Sequence, residues 1–184
     1  GELEMEGATV LEAGCGAGLP GVLAMTLGAQ SCVMQDYNAA VLTEVTMPTF
    51  QLNGLWPQVE SGRVRFVSGD WSCVSAMLRT GNSGMDLILS AETIYNSESA
   101  KRLWQLVREN LSARGVALVA AKSYYFGVGG SVAEFKSMVT ADSQFECRTV
   151  RVWEDGASNR RECLAIERSR KPKDAVSDAA DRES

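Results

Sequence analysis

Short apolar runs alternate along this chain with longer segments whose apolar residues recur at helical spacing. Thr9–Ala13 and Asp86–Leu89 are two of the runs, and Ser99–Leu111 is the clearest helical segment, with Leu103 and Val107 on one face. Strands that alternate with helices are typical of βαβ units and of a parallel sheet. The pattern therefore predicts an α/β fold.

The predicted elements follow one another from Thr9 to Arg168. The predicted helix Leu19–Leu27 ends at Gly28, as a C-cap glycine would end it, and Ala39–Leu52 is predicted as a helix that Pro48 interrupts. The predicted strands are Thr9–Ala13, Ser31–Gln35, Val64–Val67, Asp86–Leu89, Val116–Ala121, Phe145–Trp153 and Cys163–Arg168. The other predicted helices are Val74–Leu78, Ser99–Leu111 and Ser131–Val139.

The last two predicted strands have no room for a helix between them, so they form a hairpin and the final strand runs antiparallel to its neighbour. A two-half dinucleotide fold would instead end in another crossover. We predict a Rossmann-like, seven-stranded, mostly parallel sheet with helices on both faces and a C-terminal antiparallel hairpin, the architecture of class I methyltransferases. One domain is expected over residues 1–168, and residues 169–184 are predicted to be a polar, disordered tail.

Composition excludes several kinds of chemistry. The 184 residues include no histidine, which excludes Ser-His-Asp and Cys-His catalysis and any imidazole base. The five cysteines are scattered without a CxxC pair, so we expect reduced thiols and no metal site. No apolar run is long enough to span a membrane. The net charge of −5 argues against direct nucleic-acid binding and suits a basic protein partner. We also expect the protein to be a monomer.

The first predicted strand runs into a turn with glycines at positions 14, 16 and 18. The dinucleotide fingerprint GxGxxG requires a third glycine where this chain has Leu19, so binding of a pyrophosphate is disfavoured. Glu12, just before the turn, suits a cationic amine or sulfonium better than a phosphate. The turn therefore predicts a site for S-adenosylmethionine.

Two further strand ends carry carboxylates. Asp36 follows Gly14 by 22 residues and could accept hydrogen bonds from ribose hydroxyls. Asp70 could accept from an adenine amine, with the Trp71 ring close by. Taken singly, each aspartate could be a solvated turn residue. The predicted cofactor-binding residues are Glu12, Gly14, Cys15, Gly16, Gly18, Asp36, Tyr37, Gly69, Asp70, Trp71 and Ser90.

The loop Ser90–Asn96 follows the fourth strand, where the transferable methyl group lies in this fold. It contains no proline, unlike the [DN]PP[YF] tetrapeptide of adenine and glutamine N-methyltransferases. The loop Lys122–Gly130 follows the fifth strand and places aromatic residues next to glycines. We interpret it as a gate over a pocket; the alternative is a flexible surface loop with core aromatics.

Several strings resemble the protein-histidine N-methyltransferases, which modify a histidine of a large-subunit ribosomal protein in eukaryotes. The likeness runs from about Val10 to Arg168, and its most specific strings lie in the Ser90–Asn96 and Lys122–Gly130 loops. The other strings are Gln35–Asn38, Glu44–Pro48 and Gly69–Trp71. The resemblance implies a protein substrate, such as a basic ribosomal protein, and a location in the cytoplasm, the nucleus or both.

The chain departs from that family in two respects. Its members usually carry Asp where this chain has Glu12, and they have an upstream segment with a Trp-Glu pair that helps to close the cofactor pocket. This chain begins with Gly1 rather than Met, and its first strand begins by about Thr9. We therefore expect the natural protein to have a longer N-terminus.

For a histidine acceptor, the predicted catalytic residues are Glu92, Tyr95 and Tyr125. A carboxylate such as that of Glu92 can accept a hydrogen bond from one ring N–H, which fixes the tautomer and stabilises the charge that develops. Tyr95 and Tyr125 could flank the ring. Two alternatives stay open: a protein-lysine methyltransferase of the same fold, and a non-catalytic binding domain.

Overall fold

The computed structural model describes residues 5–79, 84–154, 156 and 160–169. The described strands form one sheet of seven in the order β3-β2-β1-β4-β5-β7-β6. Its strands are β1 (Thr9–Ala13), β2 (Ser31–Asp36), β3 (Val64–Ser68), β4 (Met85–Ala91), β5 (Leu111–Lys122), β6 (Phe145–Trp153) and β7 (Arg161–Arg168). The first five strands are parallel, and β7 pairs antiparallel with both β5 and β6. The predicted fold class is confirmed.

The predicted helices lie between the strands at the expected places, and the structure has one additional short helix. They are α1 (Leu19–Thr26), α2 (Ala39–Val41), α3 (Met47–Leu52), α4 (Trp56–Glu60), α5 (Trp71–Arg79), α6 (Ser97–Asn110) and α7 (Val132–Thr140). Helix α4 was not predicted, because a helix of five residues is too short to show a periodic pattern.

The predicted helix over Ala39–Leu52 is irregular, and the irregularity lies in the residues just before Pro48. A π-helical turn, Leu42–Thr46, joins α2 to α3, and it ends before the proline. Thr46 and Met47 keep helical backbone angles, so the chain continues as a helix from the π turn into α3, with Pro48 in its first turn. The irregularity therefore belongs to the π turn.

Strand β5 begins earlier than the sequence predicted. Its pairing with β4 passes from Met85 opposite Leu111 to Leu87 opposite Val116, so the residues between Leu111 and Val116 form a bulge. The turn predicted at Arg114–Gly115 is this bulge, and it lies inside the strand.

Two hydrophobic clusters cover the two faces of the sheet. Leu11 packs in a cluster with α6 and α7, whereas its neighbour Val10 packs on the other face in a cluster with α1 and Phe50 of α3. Successive residues of a strand point to opposite faces, which explains the division. The carboxyl ends of β1 to β4 are left at one edge, where open α/β sheets bind ligands.

Two further predictions concern the C-terminal tail and the absence of a membrane-spanning segment. Apart from Ser169, the tail predicted over 169–184 lies outside the described residues. Within the described ranges, every helix is too short or too polar to cross a membrane.

Candidate active site

A cavity of about 470 Å³ opens at the carboxyl ends of the central strands. Small-molecule sites commonly have volumes of about 300–1,000 Å³. The residues that line the cavity are Gly14, Gln35, Asp36, Tyr37, Gly69, Asp70, Trp71, Thr93, Tyr95, Asn96, Glu98, Ser99 and Arg102. Six of the eleven predicted cofactor-binding residues are among them. The other five lie in or beneath the cavity floor, as described below.

The glycine turn follows β1 with left-handed backbone at each glycine. The φ angles are 67° at Gly14, 51° at Gly16 and 73° at Gly18, in the region that glycine adopts without a steric penalty. The Cys15 N–H donates to the carbonyl of Gln35 at 2.8 Å, which fastens the turn to β2. The Gly14 and Gly16 N–H groups are likewise bonded to side chains of β2. The floor of the cavity is therefore a pre-organised backbone.

Gly14 and Gly16 differ in what an added methyl group would meet. A Cβ at Gly14 would lie 2.7 Å from Thr93 Cγ2, whereas one at Gly16 has no atom within 4 Å. Both substitutions strain a positive φ, at a cost of about 1–2 kcal/mol. We expect Gly14→Ala to weaken S-adenosylhomocysteine binding at least tenfold more than Gly16→Ala. Calorimetric titration of both variants tests this, and equal losses would contradict it.

Asp36 joins the glycine turn to the turn after β2. Its Oδ2 accepts from the Gly16 N–H and its Oδ1 accepts from the Asn38 N–H, both at 3.0 Å. A carboxylate has roughly four acceptor positions, so these two bonds leave room for two ribose hydroxyls. The side chain is half-buried at the cavity wall, and the next residue, Tyr37, is exposed. This arrangement fits the predicted ribose contact.

The Asp70 carboxylate accepts several hydrogen bonds within the protein, which the sequence did not indicate. The N–H and hydroxyl of Ser72 donate to its Oδ1, and Arg102 bonds its Oδ2 at 2.8 Å. These hydrogen bonds, first those from Ser72, hold the pKa of Asp70 below its ordinary value. An adenine amine would have to share this carboxylate with the Arg102 guanidinium. Arg102 was not predicted, because its helix position is typical of a solvated face.

Glu12 lies beneath the turn and does not line the cavity. Its carboxylate is buried and accepts from the Gly21 N–H in α1 at 2.7 Å. Burial raises its pKa to about 7, although the bond from Gly21 acts in the opposite direction. The predicted contact with a cationic ligand group stays a prediction, and in this geometry the carboxylate anchors α1 to β1.

Removing the Glu12 charge should change the pH dependence of stability. The raised pKa means that the folded state holds the proton more tightly than the unfolded state, so the free energy of unfolding falls as pH rises from 4.5 to 7. Between pH 4.5 and pH 8, the stability of Glu12→Gln relative to wild type should increase by about 3 kcal/mol. Urea unfolding of both ligand-free proteins measures the difference. A difference independent of pH would contradict the buried charge.

Cys15 and Ser90 are structural neighbours of the cavity. The Cys15 side chain is buried beside Thr46, and burial raises its pKa to about 12. The Ser90 hydroxyl donates to the Ala13 carbonyl at 2.9 Å and lies 2.7 Å from the Thr93 hydroxyl. The thiol therefore stays protonated, and Ser90 holds the end of β4 against the end of β1.

The π-helical turn supports the glycine turn from below. The Thr46 hydroxyl, fully buried, lies 2.6 Å from the Gly16 carbonyl and 3.2 Å from that of Val41. A Cβ at Gly18 would meet Thr46 Cγ2 at 2.8 Å. Single-turn π-helical insertions are frequent at functional sites. Thr46 belongs to one of the strings quoted above, but nothing in its local sequence indicated this contact.

Glu92 and Tyr125 form a pair at the carboxyl ends of β4 and β5. The Tyr125 hydroxyl donates to Glu92 Oε2 at 3.0 Å, and Arg161 Nε lies 3.6 Å from the other carboxylate oxygen. Burial raises the pKa of Tyr125 to about 12, so its hydroxyl stays protonated and acts as a donor. Glu92 has a φ of 57° and is about 44% exposed. Left-handed backbone at a non-glycine residue is a conformation found at functional sites.

The predicted gate loop packs against the loop after β4. The Gly130 N–H donates to the Tyr95 carbonyl at 3.1 Å, and Tyr125 N–H donates to the Gly130 carbonyl at 2.9 Å. Tyr95 lines the cavity and is about half exposed. Phe126 is exposed and packs edge-on against Tyr124. The loops that carry Tyr95 and Tyr125 are thus packed together, and Tyr125 is bonded to Glu92, while gating stays a prediction.

The cavity suits S-adenosylmethionine on structural grounds. A Cβ at Gly14 would crowd the passage beside Thr93 and Trp71, so only glycine leaves the floor open there. Asp36 supplies acceptors for a ribose, and Trp71 supplies an aromatic surface in the same wall. The fold and this cavity are typical of class I, S-adenosylmethionine-dependent methyltransferases.

Comparison with known proteins gives the family. The chain belongs to the lysine methyltransferase family, whose sequence profile matches residues 1–129. It is 37% identical to a histidine protein methyltransferase 1 homolog of Dictyostelium discoideum over 90% of this chain and 51% of that protein. It is 33% identical to the homolog of Bos taurus, over 84% of this chain and 48% of that protein. The chain therefore spans about half the length of the curated relatives it matches.

Among solved structures, a TehB-like SAM-dependent methyltransferase from Corynebacterium glutamicum superposes with a TM-score of 0.63. The match covers 89% of this chain and 82% of that one at 18% sequence identity. At this identity the likeness concerns the fold alone.

Proposed function

We propose that this chain transfers the methyl group of S-adenosylmethionine to a ring nitrogen of a histidine in a protein substrate. The observation that carries the proposal is the Glu92 carboxylate, oriented by Tyr125 and next in sequence to the cavity-lining Thr93. Similarity to the histidine protein methyltransferase 1 homologs supports the choice of histidine.

The reaction needs alignment more than a strong base. A neutral imidazole, with a pKa of about 6.5, has a free lone pair on one ring nitrogen at neutral pH. S-adenosylmethionine supplies an electrophilic methyl group on a sulfonium. The lone pair of the ring nitrogen would form a bond to that methyl carbon as the carbon–sulfur bond breaks, and S-adenosylhomocysteine would be the leaving group. Holding the two reactants in line accounts for much of the acceleration.

Glu92 is proposed to hold the other ring nitrogen. Its carboxylate would accept a hydrogen bond from the ring N–H, so that only the opposite nitrogen carries the attacking lone pair. As the ring becomes a cation, the carboxylate stabilises the charge. The N–H proton stays on the ring until it is released to solvent. Tyr125 orients Glu92, and Tyr95 forms the adjoining cavity wall.

The acceptor is proposed to belong to a basic protein of the ribosomal type. The net charge of −5 supports such a partner through long-range attraction. Incubating the protein with large-subunit ribosomal proteins and methyl-labelled S-adenosylmethionine should yield labelled methylhistidine after acid hydrolysis. Labelled methyllysine alone would overturn the choice of acceptor.

A lysine acceptor is the second candidate, and the family's description as lysine methyltransferase favours it. The two differ in pH dependence. A lysine, with a pKa of about 10.4, must lose its proton before attack, so its methylation rate would climb well above pH 7. A histidine acceptor should give a rate that levels off near neutrality. Initial rates from pH 6 to pH 10 therefore separate the two, and a rate still rising at pH 9 would contradict histidine.

A further inference from the structure

One buried amide connects three strand ends at the cavity. The Gln35 side chain is fully buried at the end of β2, with its Oε1 accepting from the Gly14 N–H at 3.0 Å. The same oxygen accepts from the Trp71 indole N–H at 2.7 Å. Its Nε2 donates to the Gly69 carbonyl at 2.9 Å. The three partners follow β1 and β3, the two strands that flank β2.

The chemistry of these partners requires an amide. The Gly14 and Trp71 groups can only donate, and the Gly69 carbonyl can only accept. A single side chain must therefore accept twice at one atom and donate at another, which the amide of Gln35 does. A carboxylate at this position would satisfy both donors but would face the Gly69 carbonyl with a second oxygen. A methionine would satisfy none of the three.

We propose that Gln35 is a positioning residue for the cofactor, fixing the Gly14 turn and the Trp71 ring at the spacing that the nucleoside requires. This role rests on the proposed cofactor site and does not depend on the acceptor. Gly14, Gly69 and Trp71 all line the cavity, so the amide sets the distance between its floor and its wall. A shift of the Gly14 turn or of the Trp71 ring would therefore change its contact with the bound cofactor.

The glutamate variant gives a test that simple loss of packing would not reproduce. Protonated Gln35→Glu has an O–H that can donate to the Gly69 carbonyl, whereas the ionised form cannot. Burial raises the pKa of a carboxyl group at this position, whereas the donors from Gly14 and Trp71 lower it, so the pH at which Gln35→Glu ionises is first measured by titration of the variant. We expect the protonated form of Gln35→Glu, at pH 5 or below, to bind S-adenosylhomocysteine nearly as well as wild type, and the ionised form, at pH 8 or above, to bind about thirtyfold more weakly.

Two further variants complete the design. Gln35→Met should bind about thirtyfold more weakly at every pH, because it leaves two donors and one acceptor unpaired. Gln51→Glu adds the same charge at an exposed position of α3 and should bind like wild type throughout. Circular dichroism at each pH checks that the variants are folded, and Gln35→Glu can be prepared at pH 5 if it is unstable at neutral pH.

The outcomes distinguish a failure of the positioning role from a failure of the proposed cofactor site. If wild type binds S-adenosylhomocysteine and Gln35→Glu is weakened equally at pH 5 and pH 8, the donor role is overturned and Gln35 merely packs. Wild-type affinity for both Gln35 variants would also overturn it. If a wild-type protein that carries its natural upstream segment does not bind S-adenosylhomocysteine, the cofactor site is wrong and the positioning role is wrong with it.

Discussion

Glu92→Gln is expected to lower the rate of methyl transfer by about 10²- to 10³-fold, the loss seen when a group that stabilises developing charge is removed. The amide keeps the size of the side chain and can still accept a hydrogen bond from Tyr125. It lacks the negative charge that would stabilise an imidazolium. The affinity for S-adenosylhomocysteine should stay within about twofold of wild type, because Glu92 does not line the cofactor cavity.

Single-turnover methylation of a protein substrate, combined with calorimetric titration, measures both quantities. Glu146→Gln makes the same change on the exposed surface of β6 and should be fully active. Tyr125→Phe keeps the Glu92 carboxylate and removes the hydrogen bond that orients it, together with the bond that the hydroxyl accepts from the Lys122 N–H at 3.3 Å, so its loss of rate should be smaller, about tenfold. A fully active Glu92→Gln enzyme with unchanged cofactor affinity would refute the role of Glu92.

Asp36→Ala should weaken S-adenosylhomocysteine binding by about 100-fold, since hydrogen bonds to a charged group contribute about 1.5–3 kcal/mol each. The variant loses the acceptors proposed for the ribose. It also frees the Gly16 and Asn38 N–H groups that the carboxylate now holds. The glycine turn then has to become ordered during binding.

Calorimetric titration checks this value, with Asp142→Ala as a matched control. The Asp142 carboxylate also accepts from a backbone N–H and pairs with Arg108, but it is remote from the cavity lining. Its loss should leave the affinity for S-adenosylhomocysteine unchanged. An Asp36→Ala protein with wild-type affinity would mean that the ribose lies elsewhere.

The sheet could be predicted because its strands are recognisable from local sequence. Parallel strands buried on both faces are continuous apolar runs, and β1 was predicted with the bounds it has in the structure. The hairpin followed from the short connection between β6 and β7. The glycine turn was equally visible, because its left-handed backbone admits few other residues.

The parts of the site that were missed depend on contacts distant in sequence. Gln35 meets Gly14 and Trp71 across 21 and 36 positions, and no local pattern reports such bonds. Thr46 and Arg102 were missed for the same reason. The predicted ligand contact of Glu12 stays a prediction, but its bond from the Gly21 N–H of α1 could not be predicted, because it depends on how the helix packs on the strand.

The strand order divides the site into two halves that meet at β1. Asp36 and Asp70 follow β2 and β3 on one side, whereas Glu92 and Tyr125 follow β4 and β5 on the other. The loop after β4 belongs to both halves, because Thr93, Tyr95 and Asn96 also line the cavity. The loop after β5, by contrast, supplies none of the residues that line the cavity, so a change of the proposed acceptor can evolve in that loop while cofactor affinity is preserved.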